Sequence, residues 1–161
     1  MEDKEKIRVL FVCSGNICRS PMAEAVFQQM VKEKGLEDHF EIESAATTHW
    51  EVGSRPHPGT RKVLEKYGVP LDPEKRAWQV RPGDIDRYDY IIGMDSEHVE
   101  TFQRWGMEIP RLMDFALDGG PRDIPDPYYE GNFELVYKMV RRGLEGLLDR
   151  IIKREGLNGR S

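Results

Sequence analysis

Two rhythms of apolar and polar residues run along this chain. Residues 7–12 (Ile-Arg-Val-Leu-Phe-Val) are β-branched and apolar with almost no polar face, the pattern of a strand covered on both sides. After a turn at 13–19 the spacing becomes helical, with Ala23, Val26, Phe27 and Met30 on one face. Pro21 sits early in that helix, where its missing N–H costs nothing, and Gly35 closes it. Residues 40–44 alternate and predict a second strand, and 59–67 predict a helix stopped by Gly68. A short extended piece at 77–80 precedes a third strand at 90–94, after which Asp95 or Ser96 caps a helix running to 105. Residues 111–113 follow Pro110 as a short fourth strand, and 118–132 is a loop rich in Gly, Pro and Asp. The last helix spans 133–153, with Leu135, Val136, Met139, Val140, Leu144, Leu147, Leu148 and Ile151 inward.

Strands alternating with helices predict an α/β fold with a doubly wound parallel sheet of four strands and helices on both faces. Ligands in such sheets sit beyond the carboxyl ends of the strands, which is where Cys13 falls. The 161 residues fit one domain, 1–161, with frayed tails at 1–6 and 155–161. No apolar run reaches the ~20 residues of a membrane helix, and the charged start lacks a signal peptide's apolar stretch. The net charge of −5 and the lack of a basic stripe argue against nucleic acid as a partner. Two cysteines are too few for a secreted scaffold, so a cytoplasmic chain with free thiols is expected. Cys13 and Cys18 have no companion Cys/His pair at metal-ligand spacing, and His39, His49, His57 and His98 read as surface or loop residues. No metal or other cofactor is expected.

The turn reads Cys13-Ser14-Gly15-Asn16-Ile17-Cys18-Arg19 and opens into a helix at Ser20-Pro21. A helix N-terminus offers unpaired N–H groups and a positive dipole end, and a curled loop can aim several N–H groups at one anion. Gly15 and Asn16 tolerate the left-handed backbone such a curl needs, and Arg19 brings a planar fork that matches two phosphate oxygens. Surroundings of this kind lower a cysteine's pKa from about 8.5 to roughly 3.5–7.5, which makes Cys13 the candidate nucleophile. Ser20 is placed to donate its hydroxyl to that sulfur. A leaving alkoxide or phenolate needs a proton, and Asp126, braced by Pro125 and Pro127, is the candidate general acid. Asp114, Asp118 and Asp123 are rivals that the residues alone do not separate from it.

With these residues in order, the chain resembles the low-molecular-weight protein tyrosine phosphatases. The match rests on the segments 12–21, 90–95 (Tyr-Ile-Ile-Gly-Met-Asp) and 126–129 (Asp-Pro-Tyr-Tyr), and extends from about residue 7 to residue 153. The resemblance implies a four-stranded parallel sheet and a two-step, metal-free hydrolysis of phosphotyrosine proteins. Cys13 would be the nucleophile, Arg19 the phosphate clamp and Asp126 the acid and base. Ser14 to Cys18 would form the phosphate loop, with Asn16, Ser20 and Ser44 shaping it through hydrogen bonds. Trp50, Tyr128 and Tyr129 would wall a phenyl ring, and Cys18 would form a reversible disulfide with Cys13 that shields it from over-oxidation.

The sequence departs from the family at Lys75, where many members carry a His in the network under the loop. Trp78 stands where Arg is usual, and His49 where a small or acidic residue is commoner. Lys75 reads first as a solvated surface lysine, with a hydrogen bond to Asp95 as the alternative. Two related activities compete. Arsenate reductases share the loop but use further cysteines, and none follows Cys18. Protein-arginine phosphatases tend to carry Thr where Ile17 stands and lack the same aromatic rim. A non-catalytic phosphotyrosine-binding module would have lost Cys13 or Asp126. A monomer is expected.

Overall fold

The computed structural model describes residues 6–158. Strand β1 (Ile7–Cys13) is central, flanked in parallel by β2 (Phe40–Ala46) and β3 (Tyr90–Gly93), so the sheet order is β2-β1-β3. The unbroken apolar run of β1 is explained by burial on both faces. Val9, Phe11 and Cys13 pack with helices α1 (Arg19–Glu33) and α5 (Phe133–Glu155), while Leu10 and Val12 pack with Ile91, Val80 and Phe102 on the opposite face. Phe102 belongs to α3 (Ser96–Arg104), so helices cover both faces, as expected of a doubly wound sheet. Helix α2 (Pro58–Lys66) contributes Val63 and Leu64 to the α1–α5 side. There the ring of Phe27 meets Phe11 and Phe40 edge-on, at 5.5 and 5.9 Å between centroids.

The fourth strand is absent from the described sheet. The segment after Pro110 makes one bridge, Arg111 to Gly93, and then turns into a 3-10 helix, Leu112–Phe115. Two local causes divert it. Asp114 Oδ2 accepts from the Arg111 N–H at 2.9 Å, which closes the turn instead of extending the ladder. Gly143 and Gly146 in α5 then let the turn dock closely: a Cβ on Gly146 would lie 1.8 Å from the Phe115 carbonyl oxygen, and one on Gly143 would lie 2.6 Å from Leu112.

Three smaller expectations also change. Leu135 is half exposed rather than inward, while its seven expected partners along α5 are buried. The loop at 118–132 contains a one-turn helix, α4 (Pro127–Glu130). Helix α5 runs two residues further than expected, through Glu155; Gly156 takes a left-handed φ of 68°, and the Leu157 N–H bonds back to the Ile152 carbonyl. The remainder of the two expected tails, residues 1–5 and 159–161, lies outside the described residues. No helix among the described residues is long and apolar enough to cross a membrane.

Candidate active site

The site lies at the carboxyl end of β1, where Cys13 ends the strand and the loop to α1 begins. The carbonyls of this loop are held from outside. Cys13 O accepts from Thr47 N at 2.9 Å, Ser14 O from Thr48 N and Oγ1, Ile17 O from His57 N at 2.7 Å, and Cys18 O from Thr60 Oγ1 at 3.1 Å. In a trans peptide the C=O and the next N–H point in opposite directions, and no peptide here is cis. Pinning these carbonyls outward therefore turns the N–H groups of Ser14, Gly15, Cys18 and Arg19 inward. Helix α1 has no acidic residue in its first turn, which leaves its positive end uncompensated.

Asn16 is the single described non-glycine residue with positive φ (58°), and its buried amide holds that conformation. Its Nδ2 donates to Ser20 Oγ at 2.8 Å and to Ser44 Oγ at 2.9 Å, and its Oδ1 accepts from Trp78 N at 3.3 Å. Gly15, expected to share the left-handed backbone, does not. Its missing side chain instead admits Glu51, whose Cγ would lie 3.3 Å from an added Cβ. Ser20 Oγ lies 3.0 Å from Cys13 Sγ, and the Ser20 N–H donates to the same sulfur at 3.4 Å. Because Asn16 donates to Ser20 Oγ, the hydroxyl proton is free to face the sulfur.

Lys75 is not a solvated surface residue. Its Nζ donates to Ser44 O at 2.8 Å and pairs with Glu24 at 3.5 Å, and Glu24 in turn accepts from Ser44 Oγ at 2.5 Å. Burial pushes the Glu24 carboxyl above its usual range against the opposing charge of Lys75. Lys75 thus supports Asn16 through Ser44. The departure at Trp78 leaves its own link intact, because that contact uses backbone N–H.

Arg19 is 2% exposed and fully committed along one edge: Nη1 donates to Asp95 Oδ2 at 2.6 Å and to Ile124 O at 2.8 Å. The other edge is open. Nε is buried without a partner, and Nη2 lies 3.6 Å from Asp126 Oδ2. Burial works against the charge on Arg19, but the negative field of Cys13, Asp95 and Asp126 outweighs it and holds the guanidinium protonated.

The four candidate acids separate by their neighbours. Asp114 pairs with Arg111, Asp118 with Arg142, and Asp123 with Arg111 and Ser96. Asp126 alone of the four lines the cleft with Cys13. It caps α4, with Oδ1 accepting from Tyr128 N at 3.1 Å, and Trp50, Tyr128 and Tyr129 stand around the same cleft. Cys18 also lines it. Burial foremost, then the adjacent Cys13, pushes the Cys18 thiol up, so it rests protonated.

Three contributors escaped the sequence reading. Asp95 was expected as a helix cap, which it is (the Glu97 N–H donates to Oδ1, 2.9 Å), or as an acceptor for Lys75, which bonds Ser44 and Glu24 instead; its second oxygen aims Arg19. An acidic residue directly after β3, at the same sheet edge as Cys13, is the signal that pointed there. His57, expected only as a surface or loop residue, caps α2, holds Ile17 O through its backbone N–H and stacks on Phe133. His98, expected on a surface or loop, is 1% exposed inside α3.

Comparison with known proteins follows the same lines. The family model described as low molecular weight phosphotyrosine protein phosphatase matches residues 8–157. The chain is 44% identical over 156 residues to the low molecular weight protein-tyrosine-phosphatase YfkJ of Bacillus subtilis, covering 94% of this chain and 99% of that protein. The YfkJ crystal structure superimposes with a TM-score of 0.90 at 42% identity, over 95% of this chain and 99% of its own. PtpA of Staphylococcus epidermidis, another low molecular weight protein-tyrosine-phosphatase, is 40% identical over 158 residues, 96% of this chain and 99% of its own. The crystal structure of a Drosophila arginine phosphatase is also similar, with a TM-score of 0.82 and 27% identity over 89% of this chain and 97% of its own.

Proposed function

From the premise that this chain belongs to the low molecular weight phosphotyrosine protein phosphatase family, we propose that it hydrolyses phosphotyrosine in proteins through a phosphocysteine at Cys13. The observation that carries the proposal is the convergence of Cys13 Sγ, the unpartnered Arg19 Nε and Asp126 in one cleft walled by three aromatic rings.

A phosphate dianion enters the cradle of inward N–H groups, and Arg19 clamps two of its oxygens through Nε and Nη2, the edge left open by Asp95 and Ile124. The thiolate of Cys13 attacks phosphorus while the phosphorus–oxygen bond to the phenol breaks, and the carboxylic acid of Asp126 delivers its proton to the departing oxygen. In the second step the Asp126 carboxylate takes a proton from water, which attacks phosphorus as the sulfur–phosphorus bond breaks. The Ser20 hydroxyl, 3.0 Å from Sγ, stabilises the leaving thiolate. Neither step calls on a metal or other cofactor.

Tyrosine is the favoured substrate over arginine because flat aromatic walls suit a phenyl ring. Ile17 offers no hydrogen-bonding group to a guanidinium. We assign one catalytic domain to 1–161, a monomeric state and a cytoplasmic setting, the last on the two free thiols. Cys18 serves as the resolving thiol: peroxide takes two electrons and two protons from the cysteine pair, leaving a disulfide and two waters. A thiol then restores activity in the wild type and not in Cys18→Ser.

The deciding experiment is hydrolysis of p-nitrophenyl phosphate with chelator and reductant present, wild type beside Cys13→Ser. Turnover that survives chelation and vanishes in the variant is expected, and a Cys13→Ser enzyme that still turns over overturns the mechanism. Phosphotyrosine and phosphoarginine peptides then separate the two substrate classes.

A further inference from the structure

His98 lies outside the chemistry described above, yet it is buried against the site. Both the Met94 and Asp95 N–H groups point at its Nδ1, each at 3.1 Å, and its Nε2 lies 3.2 Å from Ser14 Oγ. Two donors aimed at Nδ1 make that nitrogen the acceptor, so the ring proton sits on Nε2 and is donated to Ser14. The ring therefore joins two parts of the site that are distant in sequence, one of them 84 residues before His98 itself. One is Ser14, the residue after the nucleophile. The other is Asp95, whose N–H it receives and whose carboxylate aims Arg19. Gly93 makes room for this arrangement, since a Cβ there would lie 3.0 Å from the His98 Cβ.

Resting on the phosphatase reading, we infer that His98 is a positioning residue for phosphate binding: as its Nε2–H tautomer it locks the Ser14 edge of the phosphate loop to the Asp95–Arg19 clamp. The charged groups that face the ring are Asp95 at the start of its own helix, Arg19 from the phosphate loop and Asp123 from the loop at 118–132. Burial outweighs the attraction of the two carboxylates, with Arg19 adding to it, and moves the imidazole down to about 4. Protonation would place a hydrogen on Nδ1 facing two N–H donors and break the lock. The arrangement therefore persists through neutral pH.

The test uses His98→Ala, Ser14→Ala and the double variant, with active sites counted by vanadate titration. Wild-type turnover that Cys13→Ser lacks establishes the parent reading independently. Each single variant should lose about tenfold in kcat/KM per active site, the scale of one buried hydrogen bond, and weaken inhibition by inorganic phosphate by the same factor. The double variant should be little worse than either single one. Fully multiplicative losses overturn the inference, as does a His98→Ala enzyme whose per-site kcat/KM and phosphate inhibition match wild type while only its melting temperature falls. If His98→Ala does not fold, nitrogen NMR of the wild-type imidazole decides. A proton on Nε2 from pH 8 to pH 5 supports the lock, and a ring that titrates near 6.5 or carries its proton on Nδ1 overturns it.

Discussion

The phosphate loop at 13–19 and the acid loop at 118–132 face each other across the cleft and are built in opposite ways. In the first, Asn16 and Arg19 are almost wholly buried, and most of the polar groups that shape the loop have named partners. The second is anchored mainly before Asp126. Ile124 is buried, its N–H bonds to Met94 O and its carbonyl receives Arg19, while Asp123 is held by Ser96 and Arg111. Beyond that anchor Tyr128 is 51% and Tyr129 76% exposed, and Asp126 touches Arg19 only at 3.6 Å. An anion must be met by donors already in place, because reorganising them during the reaction would forfeit their electrostatic advantage. A proton donor and an aromatic wall must instead meet leaving groups of different size. Under the proposed mechanism, the contrast in packing follows the contrast in task.

If that contrast holds, lesions in the two loops should differ in kind. The largest effect is expected from Arg19→Lys, because a point charge cannot keep the Asp95 and Ile124 contacts and also fork two phosphate oxygens. A loss of about 10³ in kcat/KM, equal for every substrate, is expected, on the scale of removing one preorganised transition-state contact. Near-normal turnover would show that the loop is less committed than its hydrogen bonds imply. Asp126→Ala should cost about 10² on phenyl phosphate but far less on p-nitrophenyl phosphate, whose phenolate needs little proton assistance. Equal losses on both substrates would move the acid elsewhere.

Lys75→Met leaves Glu24 buried and unpaired under the phosphate loop. A destabilisation of about 3 kcal/mol, read from urea unfolding, is expected, with weaker phosphate binding because Ser44 no longer holds Asn16 firmly. Unchanged stability would return Lys75 to the surface role its sequence suggests. The pH dependence of stability is smaller still. An unfolded histidine titrates near 6.5, whereas folded His98 titrates at about 4. Between these values the unfolded chain takes up a proton that the folded chain refuses, so stability falls as pH drops through that window. His98→Gln should flatten this slope in melting temperatures measured from pH 7 to pH 4.

The phosphate loop was legible because its signals are local. A buried strand, a turn residue able to adopt positive φ, a cysteine and an arginine at the mouth of a helix lie within a few positions of one another. The acid loop was not. Three aspartates stand there and Asp114 just before it, and only the folded chain shows that Arg111, Arg142 and Ser96 occupy three of these four. Leu135 misled because helical periodicity places it beside the buried stripe, while the chain around the start of α5 leaves it in solvent.

The sequence by itself determined the alternation of strands and helices, the central buried strand, and the placing of Cys13 and Arg19 together between that strand and the helix after it. Neighbour-to-neighbour backbone preference and apolar spacing are enough for these. Tertiary structure alone decided that the described sheet stops at three strands, that Asp95 aims Arg19 across 76 residues, that Lys75 works beneath the loop, and that His98 is buried between Ser14 and Asp95. Each of those outcomes depends on which polar groups lose water together and must then satisfy one another. That pairing is fixed by packing between distant segments.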